Sequence, residues 1–248
     1  MKILVFAGTK SGRELISKLL DLGHNVISSS LSVYGTSLLT DNTNLIKLTG
    51  KMSWEDIESA ISTYQVDLVI DSTHPYAKEI SENIIKATSE LKTKLFRFER
   101  ERSIPDNLGL HFDSMESACK YLQKCDGNIF FTTGVNALPY ITGELNIKRV
   151  FGRVLNVPSS IKIINECGFS SEQIIVKNPP YSKGENIDFI RSNNIKYLVT
   201  KDSGPDGNID EKLQAVMATG VSLITIDRPI LSYDNIYLSM EEILTKIL

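Results

Sequence analysis

The sequence predicts an α/β protein made of two successive halves, each with a parallel sheet. Short runs of β-branched residues alternate with amphipathic helical patterns, which is typical of right-handed βαβ units. The alternation restarts after residue 127, and 248 residues are enough for two such halves. We therefore expect two Rossmann-like domains, residues 1–122 and residues 123–248.

Five strands and three helices are predicted in the first half. The segment WEDIESAI places Trp54, Ile57 and Ile61 at helical spacing, and Ser53 is a suitable N-cap. The strands are expected near residues 3–7, 25–29, 44–48, 67–71 and 94–98, and the helices over residues 11–22, 53–63 and 77–90.

The second half follows a helical segment, SMESACKYLQKC. Gly220 is a stop signal for a helix over residues 210–220, and Pro229 closes the strand after it. The strands of this half are expected near residues 128–132, 149–155, 197–204 and 222–229.

Composition narrows the class of protein. A net charge of −3 argues against a protein that coats nucleic acid, and 42% hydrophobic residues are enough for a core. Three cysteines without a C-x-x-C pair predict no metal site and a reducing compartment. No leader pattern and no apolar run near the roughly 20 residues of a membrane helix is visible. We expect a cytoplasmic protein without a membrane partner.

The loop in ILVFAGTKSGREL has a degraded dinucleotide fingerprint. Only Gly12 matches the last glycine of G-x-G-x-x-G, with Gly8 as an extra one. The loop joins a strand to a helix, where backbone N–H groups favour an anion, and Thr9, Ser11 and Arg13 add donors. These five residues are cofactor-binding candidates. A tight turn that needs glycine only for its backbone is the open alternative.

The end of the second strand carries serines instead of a carboxylate. An NAD-binding fold often has an acidic residue there for the ribose hydroxyl, whereas this chain has Ser28 and Ser29. This pattern favours NADPH over NADH and makes both serines cofactor-binding candidates. A polar strand end without any ribose contact fits equally well.

The segment LVIDSTHPYA brings polar side chains to the end of a buried strand. Ligands collect at the carboxyl ends of parallel strands, so Thr73, His74 and Tyr76 are candidate site residues. Pro75 stands where a helix can begin. A single histidine is more often structural, but this position favours a functional one.

The segment VTKDSGPDGNIDEK is the corresponding loop of the second half. Lys201 and Ser203 follow a strand, and Gly204 and Gly207 form a turn suited to an anion. A surface turn is the open alternative. The Tyr197-x-x-x-Lys201 spacing is rejected as a dehydrogenase pair, because a strand separates the two residues by about 13 Å.

Together these motifs resemble the precorrin-6A reductases of cobalamin biosynthesis. VIDSTHPYA is similar to that family's V-I-D-A-T-H-P-[FY]-A, and FFTTG is similar to its L-T-T-G turn. VTKDSG, EKLQA and ITIDRP resemble its V-T-K-x-S-G, E-K-x-x-A and closing R-P segments. The matches occur in order along nearly the whole chain.

The resemblance implies a two-domain enzyme with its active site in a cleft between the domains. It implies hydride transfer from NADPH or NADH to precorrin-6A or its cobalt form. The cofactor-binding candidates then include Thr73, His74, Thr133 and Gly134, and His74 and Lys201 are candidate catalytic residues. The candidates for the polycarboxylate substrate are Tyr76, Arg153, Lys201, Ser203, Gly204 and Arg228.

Four further cations are weaker candidates for the substrate carboxylates: Arg97, Arg100, Arg102 and Lys177. The segment RFERER fits a solvated charged edge equally well. We expect a monomer or a small homo-oligomer with no protein-bound metal. A reductase of another substrate and a non-catalytic dinucleotide sensor are the remaining alternatives.

Overall fold

The computed structural model describes residues 1–204 and 208–247, so the predicted turn residue Gly207 lies outside the described residues. The chain divides into two compact units. Unit 1 contains Met1–Glu101 and Pro229–Leu248, and unit 2 contains Arg102–Arg228.

Unit 1 contains a six-stranded sheet in which every neighbouring pair is parallel. Its order, β3-β2-β1-β4-β5-β12, matches the doubly wound order 3-2-1-4-5-6 with a late strand at the edge. The strands are β1 (Lys2–Ala7), β2 (Asn25–Ser30), β3 (Leu45–Thr49), β4 (Leu68–Ser72), β5 (Lys94–Phe98) and β12 (Ile236–Tyr237).

The helices of unit 1 cover both faces of this sheet. Leu15, Ile16 and Leu19 of α1 pack on one face together with Ile243 of α10. Residues of α3 and α4 pack on the other face. The helices are α1 (Lys10–Asp21), α2 (Val33–Ser37), α3 (Trp54–Tyr64), α4 (Lys78–Glu90) and α10 (Met240–Ile247).

Unit 2 repeats this plan with a second parallel six-stranded sheet, of order β9-β8-β7-β10-β11-β6. The strands are β6 (Leu110–Phe112), β7 (Asn128–Phe131), β8 (Val150–Val154), β9 (Ile174–Val176), β10 (Ile195–Lys201) and β11 (Ser222–Ile226). The helices are α5 (Met115–Leu122), α6 (Leu138–Glu144), α7 (Pro158–Cys167), α8 (Lys183–Ser192) and α9 (Ile209–Thr219). Residues of α5, α6 and α7 pack on one face of the sheet, and residues of α8 and α9 on the other.

The predicted α/β class with two parallel Rossmann-like sheets is confirmed, but the units differ from the predicted domains, residues 1–122 and 123–248. Strand β6 follows β5 in sequence yet pairs with β11 in unit 2. Strand β12 follows β11 yet pairs with β5 in unit 1. The boundaries therefore fall before β6 and after β11, because each sheet takes its edge strand from the segment that follows a crossing between units.

Local signals place the predicted elements well. Ser53 caps α3 in a reciprocal capping box with Asp56, as its spacing indicates. Gly220 ends α9 in the left-handed conformation that suits glycine, with φ of 70°. The last strand of unit 2 ends at Ile226, before the predicted limit at Pro229. Among the described helices, none is long and apolar enough to cross a membrane.

Candidate functional site

Each unit has one topological switch point, where the chain leaves two neighbouring strands in opposite directions. In unit 1 this point lies between β1 and β4, and in unit 2 it lies between β7 and β10. The crevice outside the carboxyl ends of such strands is the usual ligand site of an open α/β sheet. Most residues predicted from the sequence lie in the four loops that follow these strands.

The two glycines of the first loop have different surroundings. A Cβ on Gly12 would lie 2.8 Å from Ser72 Oγ and 3.1 Å from Ala7 Cβ, so glycine allows α1 to pack closely against the sheet. Apart from its two sequence neighbours, no described residue has an atom within 4 Å of the Cβ position of Gly8, which is exposed. Packing therefore explains Gly12, whereas the open surroundings of Gly8 fit close approach by a ligand.

The remaining first-loop residues begin helix α1. Thr9 is the N-cap, and its Oγ1 accepts a hydrogen bond from Gly12 N at 3.4 Å and lies 3.2 Å from Ser11 Oγ. Arg13 is half-buried and lines a groove of about 210 Å³ beside Leu39. The first turn of α1 contains no acidic side chain that would repel an anion.

The serines at the end of β2 point into the protein. Ser28 and Ser29 are buried, and Ser29 Oγ donates to Met52 Sδ at 3.2 Å. Ser28 Oγ has no hydrogen-bond partner among the described residues. The exposed side chains after this strand include the large side chains of Leu31, Val33 and Tyr34. The structure thus gives neither predicted serine hydroxyl an exposed position, because the two side chains point to opposite faces of the sheet and helices cover both faces.

The second loop of unit 1 is built on a buried carboxylate that sequence reasoning missed as an anchor. Asp71 is fully buried at the end of β4 and lies 2.9 Å from Arg97 Nη1. It accepts hydrogen bonds from Thr73 N at 2.9 Å, Ser81 Oγ at 2.8 Å and the Tyr233 hydroxyl at 2.6 Å. Burial and the adjacent carboxylate raise the pKa of Tyr233, so the phenol stays a donor.

This network changes the interpretation of Arg97, a candidate for substrate carboxylates. Its side chain is 3% exposed and pairs with both Asp71 and Glu99 at 2.9 Å. Its Nη1 also donates to Thr73 Oγ1 at 3.2 Å. Arg97 is therefore a buried structural cation, because the neighbouring strand supplies an acidic partner that local sequence does not indicate.

The loop backbone orients His74. Tyr76 N donates to His74 Nδ1 at 3.3 Å, and the two rings lie 5.7 Å apart. Since Nδ1 accepts this bond, the proton of the neutral imidazole is on Nε2. Nε2 of half-buried His74 is therefore a hydrogen-bond donor. Buried Thr73 precedes it in the same loop.

The loops at the switch point of unit 2 contain the other predicted residues. Gly134 follows β7 with φ of 90° and ψ of 165°, a conformation that requires glycine. Buried Thr133 has an Oγ1 with no hydrogen-bond partner among the described residues. Half-buried Lys201 ends β10, and burial lowers its pKa.

Asp202 organises the loop after β10, although the sequence did not single it out. This buried carboxylate accepts from Gly204 N at 3.0 Å, and from Ser103 N and Ile104 N at 3.0 Å each. Arg228 Nη2 lies 3.6 Å from it, and Arg228 Nε donates to the Asp202 carbonyl oxygen at 2.9 Å. Arg228, a substrate-binding candidate, thus contacts the loop from within the protein.

Arg153, a substrate-binding candidate, is a buried cation of unit 2. It is 6% exposed at the end of β8, donates to Asn186 Oδ1 at 2.6 Å, and stacks on Tyr181 at 3.9 Å from the ring centre. Its Nη2 is buried with no hydrogen-bond partner in the described part of the chain. Burial lowers its pKa to about 10.

Lys212 is a second buried cation, which sequence reasoning missed as a site residue. It lies in the first turns of α9, and burial, together with nearby Arg153, lowers its pKa to about 7. The segment EKLQA contains it, so the motif was visible, but a lysine in a helical pattern looks solvent-exposed. Unit 2 thus contains two buried basic side chains that lie close enough to interact electrostatically.

Two weaker candidates pair at the surface. Arg102 Nη1 lies 3.3 Å from Asp106, and Lys177 pairs with Glu185. Both ion pairs are solvent-exposed, and such pairs contribute little to stability.

Comparisons with known proteins found a matching family, similar sequences and a similar structure. The model of a family described as precorrin-6x reductase CbiJ/CobK matches residues 2–247. The chain is 29% identical to a cobalt-precorrin-6A reductase of Methanocaldococcus jannaschii, over 98% of this chain and 97% of that protein. It is 27% identical to a cobalt-precorrin-6A reductase of Priestia megaterium, over 97% and 96%. A solved structure, CobK precorrin-6A reductase, has a TM-score of 0.79 at 20% identity, covering 100% of this chain and 96% of that chain.

Proposed function

The chain belongs to the precorrin-6x reductase family, and from this premise we propose that it reduces precorrin-6A or cobalt-precorrin-6A with a nicotinamide nucleotide. The observation that carries the proposal is the pair of switch points, each with a loop suited to an anion. Unit 1 is the nucleotide-binding unit, and unit 2 binds the carboxylates of the macrocycle.

The first loop supports binding of a nucleotide pyrophosphate. The open position beside Gly8 leaves room for a phosphate, and the close packing of Gly12 brings the N-terminus of α1 to the same loop. Arg13 adds a positive charge. When bound, the nucleotide supplies a hydride, and the protein contributes position and charge.

The buried cations of unit 2 support binding of a polycarboxylate. Arg153 has an N–H without a partner in the described part of the chain. Its positive charge is close enough to Lys212 to lower the pKa of that lysine. A carboxylate there would satisfy the guanidinium and offset the repulsion between the two cations. Lys201 adds a third cation to the same unit.

His74 is the proposed source of the proton that accompanies the hydride, because its imidazolium form can release a proton and return to neutral imidazole, and its loop follows β4 at the switch point. Replacing His74 by Asn keeps a hydrogen-bond donor but removes the titrating group. Single-turnover reduction should then lose its dependence on pH near neutrality. An unchanged rate profile would assign the proton to water and leave His74 a binding role.

The end of β2 favours NADPH over NADH. No acidic residue is present over residues 28–37 to bind ribose hydroxyls. The names of the two similar proteins favour the cobalt-bound substrate. Titrating the protein with each nucleotide and with each macrocycle measures both the nucleotide preference and the substrate preference.

The experiment is an anaerobic assay with NADPH or NADH and a preparation of either macrocycle. Loss of the nicotinamide absorbance together with a change in the macrocycle bands supports the proposal. Binding of nucleotide without consumption would indicate a sensor, and absence of nucleotide binding at millimolar concentration would overturn the assignment of unit 1.

A further inference from the structure

The two units contain equivalent buried aspartates in the same topological place. Asp71 is the penultimate residue of β4, and Asp202 directly follows β10. Strand β4 lies across the switch point from β1, and β10 lies across the switch point from β7. Both side chains are buried, and both accept several hydrogen bonds. The repetition of this feature in two units with unlike loops indicates a common task.

Each aspartate contacts the candidate ligand loop of its own unit. Asp71 accepts from Thr73 N at 2.9 Å, directly before His74. Asp202 accepts from Gly204 N at 3.0 Å, directly after Ser203. Each carboxylate therefore fixes the backbone of a loop that carries predicted site residues.

Each aspartate also contacts the segment that brings in the edge strand. In unit 1, Asp71 accepts from the Tyr233 hydroxyl at 2.6 Å, three residues before β12 begins. In unit 2, Asp202 accepts from Ser103 N and Ile104 N at 3.0 Å each, on the segment that leads to β6. These segments are the two that cross between units along the chain.

We propose that Asp71 and Asp202 are equivalent positioning residues, each of which keeps its ligand loop in binding shape through its bond to the segment that carries the edge strand. The inference rests on the proposed function for the identity of the two ligands. Loss of one such bond should weaken ligand binding by that unit and leave ligand binding by the other unit unchanged.

The test in unit 1 is Tyr233→Phe, which removes one hydroxyl and keeps the ring. Titration of NADPH by nicotinamide fluorescence should give a Kd raised by about tenfold or more, as expected for the loss of one charge-assisted hydrogen bond. Tyr237→Phe is the matched control, since Tyr237 lies on the same segment and packs its ring 4.8 Å from Phe96. The control should bind NADPH as the wild type does.

The test in unit 2 is Asp202→Asn, followed by titration with cobalt-precorrin-6A. An amide cannot accept as the carboxylate does from three backbone N–H groups, so the macrocycle Kd should rise by about tenfold or more while that of NADPH is unchanged. If Asp202→Asn melts before the titration, Asp202→Glu keeps the charge and moves the oxygens by one methylene. Asp202→Glu should also weaken binding of the macrocycle without changing the Kd of NADPH.

The outcomes separate the inference from the function it rests on. A wild type that binds neither ligand overturns the proposed function. A wild type that binds both, with variants that bind both equally well, overturns the positioning role alone. Equal losses of affinity for both ligands in each variant would also overturn the positioning role, because such losses indicate general destabilisation of the protein.

Discussion

Replacing the two glycines of the first loop one at a time separates packing from ligand binding. In Gly12→Ala the new methyl would lie 2.8 Å from Ser72 Oγ and 3.1 Å from Ala7 Cβ. The serine hydroxyl can rotate away, but Ala7 is fixed in β1, so the helix must shift. Overpacking of this kind costs about 1–3 kcal/mol. We expect the melting temperature to fall by about 2–12 °C.

Gly8→Ala should behave in the opposite way. Beyond its sequence neighbours, the described part of the chain has no atom within 4 Å of the new methyl, and Gly8 is outside the left-handed region of backbone space. Stability should therefore stay within about 0.5 kcal/mol of the wild type. The methyl would occupy the space next to the proposed phosphate, and the Kd of NADPH should rise by about tenfold.

Thermal melts followed by circular dichroism, together with NADPH fluorescence titrations, measure both effects on the same two variants. A Gly8→Ala protein that binds NADPH with wild-type affinity would refute the phosphate-binding interpretation of this loop. A Gly12→Ala protein with an unchanged melting temperature would refute the packing argument instead.

Three further substitutions test the charged groups. Lys212 has a pKa of about 7 in the folded protein, whereas its ordinary value is 10.5. Between pH 7 and pH 10.5 the unfolded chain therefore binds more protons than the folded one, and the free energy of unfolding rises with pH. Between pH 7 and pH 10 the free energy of unfolding of the wild type should rise by up to about 4 kcal/mol, and urea titrations of Lys212→Met should lack this rise; an equal rise in both proteins contradicts the burial argument. Arg153→Lys loses the planar stacking on Tyr181, and the KM for the macrocycle should rise by about tenfold with little change in kcat; an unchanged KM removes Arg153 from the site. Arg97→Gln leaves Asp71 without its cation, and unfolding free energy should fall by about 3–5 kcal/mol; a stable variant with weak macrocycle binding would restore the substrate role suggested by the sequence.

Local pattern was enough to locate most strands and the loops that follow them. Period-2 and period-3.6 signals act within a few residues, so β1, β5 and the helix α3 lie within two residues of their predicted limits. The rejection of the Tyr197–Lys201 pair is confirmed for the same reason, since both residues lie on strand β10.

Contacts between distant parts of the chain could not be predicted in this way. Tyr233 bonds to Asp71 across 162 positions, and Ser103 bonds to Asp202 across 99. The edge strands that bring these partners in are only three and two residues long, too short to give a periodic signal. The predicted domain boundary missed both crossings as a result.

Burial of charge was equally invisible in the sequence. Arg97 and Arg153 both lie on strands, and nothing in the local sequence distinguishes a paired arginine from an unpaired one. Only the structure shows that Arg97 meets Asp71 from the adjacent strand, whereas Arg153 retains an N–H without a partner in the described part of the chain. An acidic neighbour on the next strand therefore decides which arginine remains available to a ligand.

The discontinuity of unit 1 has a consequence for the order of events during synthesis. Unit 2 is one continuous stretch, so all its strands have been synthesised once residue 228 is added. The first 101 residues must wait for β12 and for Ile243, which is fully buried in their core. At about 5–20 residues per second, that wait lasts roughly 7–30 seconds. A premature stop shortly before residue 236 would thus damage the amino-terminal unit while sparing the one encoded after it.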